Sequence, residues 1–181
     1  YSYLWVRPPV DYYGQINFSQ FDGADISKTL LLDDGTLKLK AFYGLANQKF
    51  PGFGARVIDF SDSKLFGVLA EYQSLNWTYK VGVSQLDIEA QDPLITTLVT
   101  TLQAVPAPFD QSALANEIKW IDNSMRYYTI GVGYDNGPWR TQFAVAHIDS
   151  ETITIPSNTS AYLSVGYRIQ AWTPYVVLSG I

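Results

Sequence analysis

Along much of the chain apolar and polar residues alternate one by one, the period of a strand whose two faces meet different surroundings. Thr36–Ala46 places Leu37, Leu39, Ala41, Tyr43 and Leu45 on one side and Lys38, Lys40, Phe42 and Gly44 on the other. Met125–Tyr134 sets Tyr128, Ile130, Val132 and Tyr134 against Thr129, Gly131 and Gly133. Ser160–Ile169 sets Ala161, Leu163, Val165, Tyr167 and Ile169 against Tyr162, Ser164, Gly166 and Arg168. Asp22–Leu32, Lys64–Ser74, Trp77–Ile88, Trp139–Asp149 and Trp172–Ser179 carry the same period, so about eight strands are predicted. They are long: ordinary strands centre on about five or six residues, whereas a strand tilted across a bilayer needs about nine to eleven. Two places break the pattern. Lys28 falls on an apolar side, and Trp77, Tyr79, Val81 and Val83 run on into Gln85 and Asp87, which predicts a bulge or emergence above the bilayer.

The connections alternate in length. Asp33-Asp34-Gly35, Leu75-Asn76, Asp135-Asn136-Gly137-Pro138 and Gln170-Ala171 are tight, and the first and third carry the Asp-Gly and Asn-Gly that hairpin turns favour. Between them lie Asn47–Ser63, Glu89–Ser124 and Ser150–Thr159. Short turns at one end and long loops at the other are the rhythm of an outer-membrane barrel. Within the longest loop, Pro93–Gln103 and Asp110–Trp120 read as short helices, the first with Asp92 as N-cap and Pro93 at the first turn. Trp77, Trp139 and Trp172 each follow a tight turn, which predicts an aromatic girdle at one membrane interface. The expected fold is all-β: an antiparallel up-and-down meander of about eight long strands, of outer-membrane β-barrel type, with short helices in one long loop. Residues 1–21 are expected to form a loop ahead of strands over 22–181, with the helical loop near 89–124.

Composition narrows the function. Charged residues make up 16% of the chain and aromatic residues 15%, and there is no cysteine, which removes disulfides, thiol nucleophiles and cysteine-based zinc sites. A net charge of −5 and twelve scattered basic residues argue against a nucleic-acid partner. No signal-peptide pattern is visible at the N-terminus. The sequons at Asn17, Asn76 and Asn158 favour secretion only weakly.

The segment WVRPPVDYYG, followed by FDGADI leading into a strand, resembles a group of porin-like outer-membrane proteins of Gram-negative bacteria. The helical long loop and the closing RIQAWTPYVVLSG add to the likeness. The resemblance implies a barrel of about sixteen strands in the bacterial outer membrane, in contact with its lipid, that passes small polar solutes or ions and needs no cofactor. Such barrels often form trimers. With no visible signal peptide, no earlier strands and an end in Ser179-Gly180-Ile181, the chain is expected to be a fragment of a larger barrel; about eight strands alone enclose little more than their own side chains. An isolated fragment could pair its open edges into a dimer. The residues expected to line or constrict the lumen are Arg7, Asp11, Tyr12, Tyr13, Asp22 and Asp25, with Lys38, Lys40, Glu71, Lys80, Arg140 and Arg168 on the wall.

Two alternatives stand beside a passive-diffusion porin. One is a soluble secreted β-barrel or sandwich that binds a ligand at its mouth. The other is an outer-membrane hydrolase centred on His147, the only histidine, with Asp149 on the same strand face and Ser150 or Ser164 as nucleophile. A non-enzymatic pore is favoured, because a triad is defined by geometry and not by nearness in sequence. A lone histidine without an acidic cluster gives no metal site. Asp33-Asp34-Gly35 lacks the later ligands of a calcium loop and reads as a turn, and Gly52-Phe53-Gly54 reads as a mobile surface loop without the helix and spacing of a phosphate cradle.

Overall fold

The computed structural model describes residues 22–47, 49–51, 57–90, 92–106 and 108–181. Among them, two strands, β1 (Asp22–Leu32) and β2 (Gly35–Ala46), begin the main sheet, and a small separate hairpin follows from β3 (Lys49–Pro51) and β4 (Val57–Asp59). The main sheet continues through β5 (Ser63–Ser74), β6 (Trp77–Ile88), β7 (Asn123–Asn136), β8 (Trp139–Ser150), β9 (Asn158–Tyr167) and β10 (Tyr175–Gly180). It is an eight-stranded antiparallel meander in which each strand lies beside its neighbour in the main-sheet order. The sheet is open: β1 and β10 are its two edges and do not pair with each other. The predicted all-β meander is observed.

Three tight turns hold as predicted. Leu32 pairs with Gly35 across Asp33-Asp34, and Asn136 pairs with Trp139 across Gly137-Pro138, with Gly137 at φ +56. Ser74 and Trp77 flank Leu75-Asn76. The last hairpin differs. Gln170 takes φ +53 and Ile169 and Trp172 form one bridge, but the ladder then pauses. The amide of Tyr167 donates to the Pro174 carbonyl at 3.0 Å, and proline has no N–H to return. β10 therefore starts at Tyr175 and not at Trp172.

The register separates the sheet into two chemical faces. One row across the apolar face runs Lys28, Leu39, Ala70, Val81, Ile130, Val145 and Ala161. Within the strands, charges on this face occur at Asp22, Lys64, Asp87, Arg126 and Asp149, all in the two rows nearest the long loops, and at Lys28. No bulge interrupts the register at Gln85 and Asp87; Gln85 donates to Asp87 at 2.7 Å and accepts from Arg126 at 3.4 Å, a polar rim beyond the apolar rows. Lys28 lies on the edge strand β1, where lysine commonly blunts an unpaired edge. The opposite, polar face carries Asp25, Lys38, Lys40, Glu71, Lys80, Asp135 and Arg140, between small residues such as Gly82, Gly131 and Ser164.

The long connections fold over the loop end of the polar face. Ala46, Leu86 and Ile88 are buried there beneath Phe60, Ala90, Ile58, Trp120 and Ile155. Two similar turns aim the aromatics: Phe60-Ser61-Asp62-Ser63 and Trp120-Ile121-Asp122-Asn123 each close an i to i+3 hydrogen bond. Each has a left-handed aspartate, at φ +71 and +66, just before a strand. Phe60 and Trp120 then stack at 6.2 Å.

Helix α1 (Pro93–Gln103) matches its prediction, and Asp92 accepts from the Leu94 amide at 2.7 Å. Helix α2 (Ser112–Ile118) is shorter than predicted at both ends: Asp110 stays outside as a turn acceptor for the Ser112 amide at 2.9 Å, and Lys119 turns extended at ψ 151.

Glycine spacing gives a stability test. At Gly67, on the polar face, an added Cβ would lie 2.7 Å from both Ser84 Cβ and the Val83 carbonyl, and 2.8 Å from the Phe42 ring. At Gly131 the nearest atom would be 3.7 Å away. Urea unfolding followed by tryptophan fluorescence should show Gly67→Ala losing about 1–3 kcal/mol, the usual cost of overpacking. Gly131→Ala should fall within about 0.5 kcal/mol of the parent.

Candidate functional site

The candidate site is the polar face, and its charges are organised in cross-strand pairs. Lys80 sits directly opposite Glu71, with Nζ 2.7 Å from the carboxylate. Lys38 is opposite Glu71 on the other side, so one carboxylate lies between two lysines along a row. Lys40 reaches diagonally to Asp25 at 3.1 Å. Arg140 faces Asp135 and donates through Nε and Nη2, both at 2.8 Å. These pairs are partly exposed, so each contributes little to stability, and their effect is to fix where the charges stand.

Of the residues expected to line a lumen, Asp25, Lys38, Lys40, Glu71, Lys80 and Arg140 share this face. Asp22 does not: strand parity puts it on the opposite face, where it accepts from Asn47 at 2.7 Å. Arg168 belongs to the turn after β9, where its guanidinium donates to the Gly137 carbonyl at 3.1 Å. Arg7, Asp11, Tyr12 and Tyr13 lie outside the described residues, as does the Gly52-Phe53-Gly54 loop.

Sequence reading missed Asp135 as the partner of Arg140, although their places flanking the Gly137-Pro138 turn make them direct neighbours. It also missed a set of buried polar atoms on β8 and β9. Among the described residues, Gln142 Oε1, Asn158 Oδ1, Ser160 Oγ and Ser164 Oγ have no hydrogen-bond partner. All four residues belong to the polar face. Buried acceptors and hydroxyls are usually satisfied, so this strip suits water or a hydrogen-bonding solute.

The apolar face carries aromatic pairs towards the short-turn end. Tyr72 stacks on Tyr79 at 6.3 Å, Trp77 meets Tyr134 at 4.7 Å, and Trp139 meets Tyr167 edge-on at 4.8 Å. Trp77 and Trp139 thus stand in neighbouring rows at the short-turn end of the apolar face, beside tyrosines that the sequence reading left out. Trp172 is in the turn before β10 and 79% exposed. Between this row and the polar rim lies an open apolar groove of about 770 Å³, lined by Val68, Val81, Ile130 and Val145 among others.

His147 belongs to the apolar face with Asp149. Its Nδ1 is 2.8 Å from Thr159 Oγ1, and its ring lies beside Tyr128. Ser150 and Ser164 are on the other face, so neither can join His147 in a triad. Among the described residues no three of His, Asp and Glu cluster as metal ligands. Among those residues no helix is long and apolar enough to cross a membrane, which says nothing of strands. No family model matches the chain, and neither does any curated protein or solved structure.

Away from the sheet, Lys49 and Asp59 join the β3–β4 hairpin at 2.8 Å. The hydrogen bond from Lys49 and two from Ser61 lower the Asp59 pKa to about 2. A lowered carboxylate pKa means that this link contributes above the unfolded-state pKa and is lost as pH falls through about 2. NMR titration of the Asp59 carboxyl should show its midpoint there, and Lys49→Met should return it towards the ordinary value of about 3.9.

Proposed function

We propose that the chain is a β-barrel wall segment of the bacterial outer membrane, belonging to a porin-type channel through which small polar solutes or ions diffuse passively. The observation that carries this reading is the separation of the two faces. On the apolar face the strand charges sit in the two rows beside the long loops, with Lys28 on the edge as the exception. Residues in its middle are nonetheless open to the surroundings: Val81 is 53% exposed and Ile130 60%. Exposed valine and isoleucine across several strands suit acyl chains, and the Trp and Tyr row suits a headgroup interface. Four of the strands have twelve residues, a length of about 40 Å that spans about 28 Å at a tilt near 45°. The polar face, with its ion pairs and hydroxyls, is suited to line water.

The mechanism needs no bond chemistry. Solutes would pass along the polar face, their lost hydration replaced by wall groups such as the Glu71–Lys80 pair. The segments around Phe60 and Trp120 fold over the loop end of that face and would narrow the passage there.

The soluble binding protein is the second reading, and the groove on the apolar face favours it, since a lipid-like ligand would fit there. Fractionation separates the two: native full-length protein that stays in solution without detergent would sink the membrane reading. Full-length protein in a planar bilayer should give stable ohmic conductance steps, and silence across many insertions would count against a pore. In bilayers, Val81→Arg on the apolar face should cost about 2–4 kcal/mol of unfolding free energy. Ser27→Arg, at similar depth on the polar face, should cost about 0.5 kcal/mol or less. Equal losses at the two sites would contradict the assignment of faces.

A further inference from the structure

We propose that the polar face holds a binding trough for a neutral, hydroxyl-rich solute, along β7 between the Glu71–Lys80 pair and Gln142. The inference rests on reading this face as the wall of a water-filled passage, and it names the class of solute that the wall favours. A concavity of about 340 Å³ lies here, within the range of small-molecule sites. Gly131 forms its floor. An added Cβ would make ordinary contacts, with Ala144 Cβ at 3.7 Å and with Lys80 Cβ and the Phe143 carbonyl at 3.8 Å, so packing leaves room for a side chain and the glycine keeps the floor low.

The walls supply complementary hydrogen-bonding groups. On one side stand the Lys80 ammonium and the Glu71 carboxylate, 2.7 Å apart. On the other are Tyr162 and Gln142, each 7% exposed. The Gln142 carboxamide oxygen is buried with no donor among the described residues, and such an acceptor gains most from a ligand that brings one. A carboxylate or phosphate group brings none, and its oxygens would be repelled by both this oxygen and Glu71. A cation would meet Lys80. Nor does the wall attract either sign strongly: four cations (Lys38, Lys40, Lys80, Arg140) stand against three anions (Asp25, Glu71, Asp135), and three ion pairs close at 2.7–3.1 Å. A hydroxyl group fits where ions do not, because it donates to Gln142 or Glu71 and accepts from Lys80. Several hydroxyls on one small ring, as in a hexose, would use these groups together.

The test uses the full chain in planar bilayers, with glucose as probe and gluconate as its anionic counterpart. Glucose should interrupt the ion current reversibly, and gluconate should do so far less. Gln142→Leu removes the acceptor and Gly131→Leu fills the floor, so each should raise the half-blocking glucose concentration about fivefold or more. Channels that open but ignore glucose, that are blocked equally by gluconate, or whose block is unchanged in both variants would overturn the trough while leaving the pore intact. If no channel forms at all, the pore reading falls, and calorimetry of glucose on the detergent-solubilised chain decides the trough separately. Binding that weakens in Gln142→Leu would uphold it, and no binding would overturn it.

Discussion

The register of the antiparallel ladder is the constraint on which the other features depend. Side chains alternate faces with a period of two, so a slip of one residue would exchange the surroundings of every side chain in the slipped strand. Two adjacent pairs between β5 and β6 fix the choice. Glu71 meets Lys80 on the polar face, and beside it Tyr72 meets Tyr79 on the apolar face. A slipped strand would lose a charge pair and an aromatic pair together. It would also bring lysine and glutamate into the rows of valine and isoleucine, among side chains that offer them no hydrogen-bond partner.

The same ladder explains why the loops can be elaborate without disturbing the sheet. The strands satisfy one another's peptide groups, which leaves the segments beyond them free to use side chains for their own closure. Trp120 donates to Thr154 at 2.7 Å, and the Thr152 and Thr154 hydroxyls donate to carbonyls at the end of α2. Phe60 then packs on Trp120. Three connections far apart in sequence thus form one cap over the loop end of the polar face.

What was legible in the sequence follows from how local each signal is. Strand alternation and the tight turns are carried by neighbouring residues, and they placed the eight long strands to within a few residues. The β3–β4 hairpin was missed because three-residue strands are too short to show a period. The late start of β10 depends on Pro174 facing Tyr167 across the turn, a contact between strands. Asp22 and Asp25 are three apart, and an odd separation in a strand means opposite faces, so their division between the two faces was readable and overlooked. The unsatisfied Gln142, by contrast, has no sequence signature, because its burial depends on its neighbours in space.

A meander also has a consequence for how such a sheet can change size. Each hairpin of the main sheet bonds only to the strands on either side of it, and no strand crosses over to a distant partner. Inserting or removing a whole hairpin therefore keeps the face parity of all remaining strands. It alters the width of the sheet by two strand spacings, about 9.5 Å. The width of a structure built this way is counted in hairpins, and it can be enlarged in discrete steps by gene-level duplication while the faces on either side of the insertion keep their chemistry.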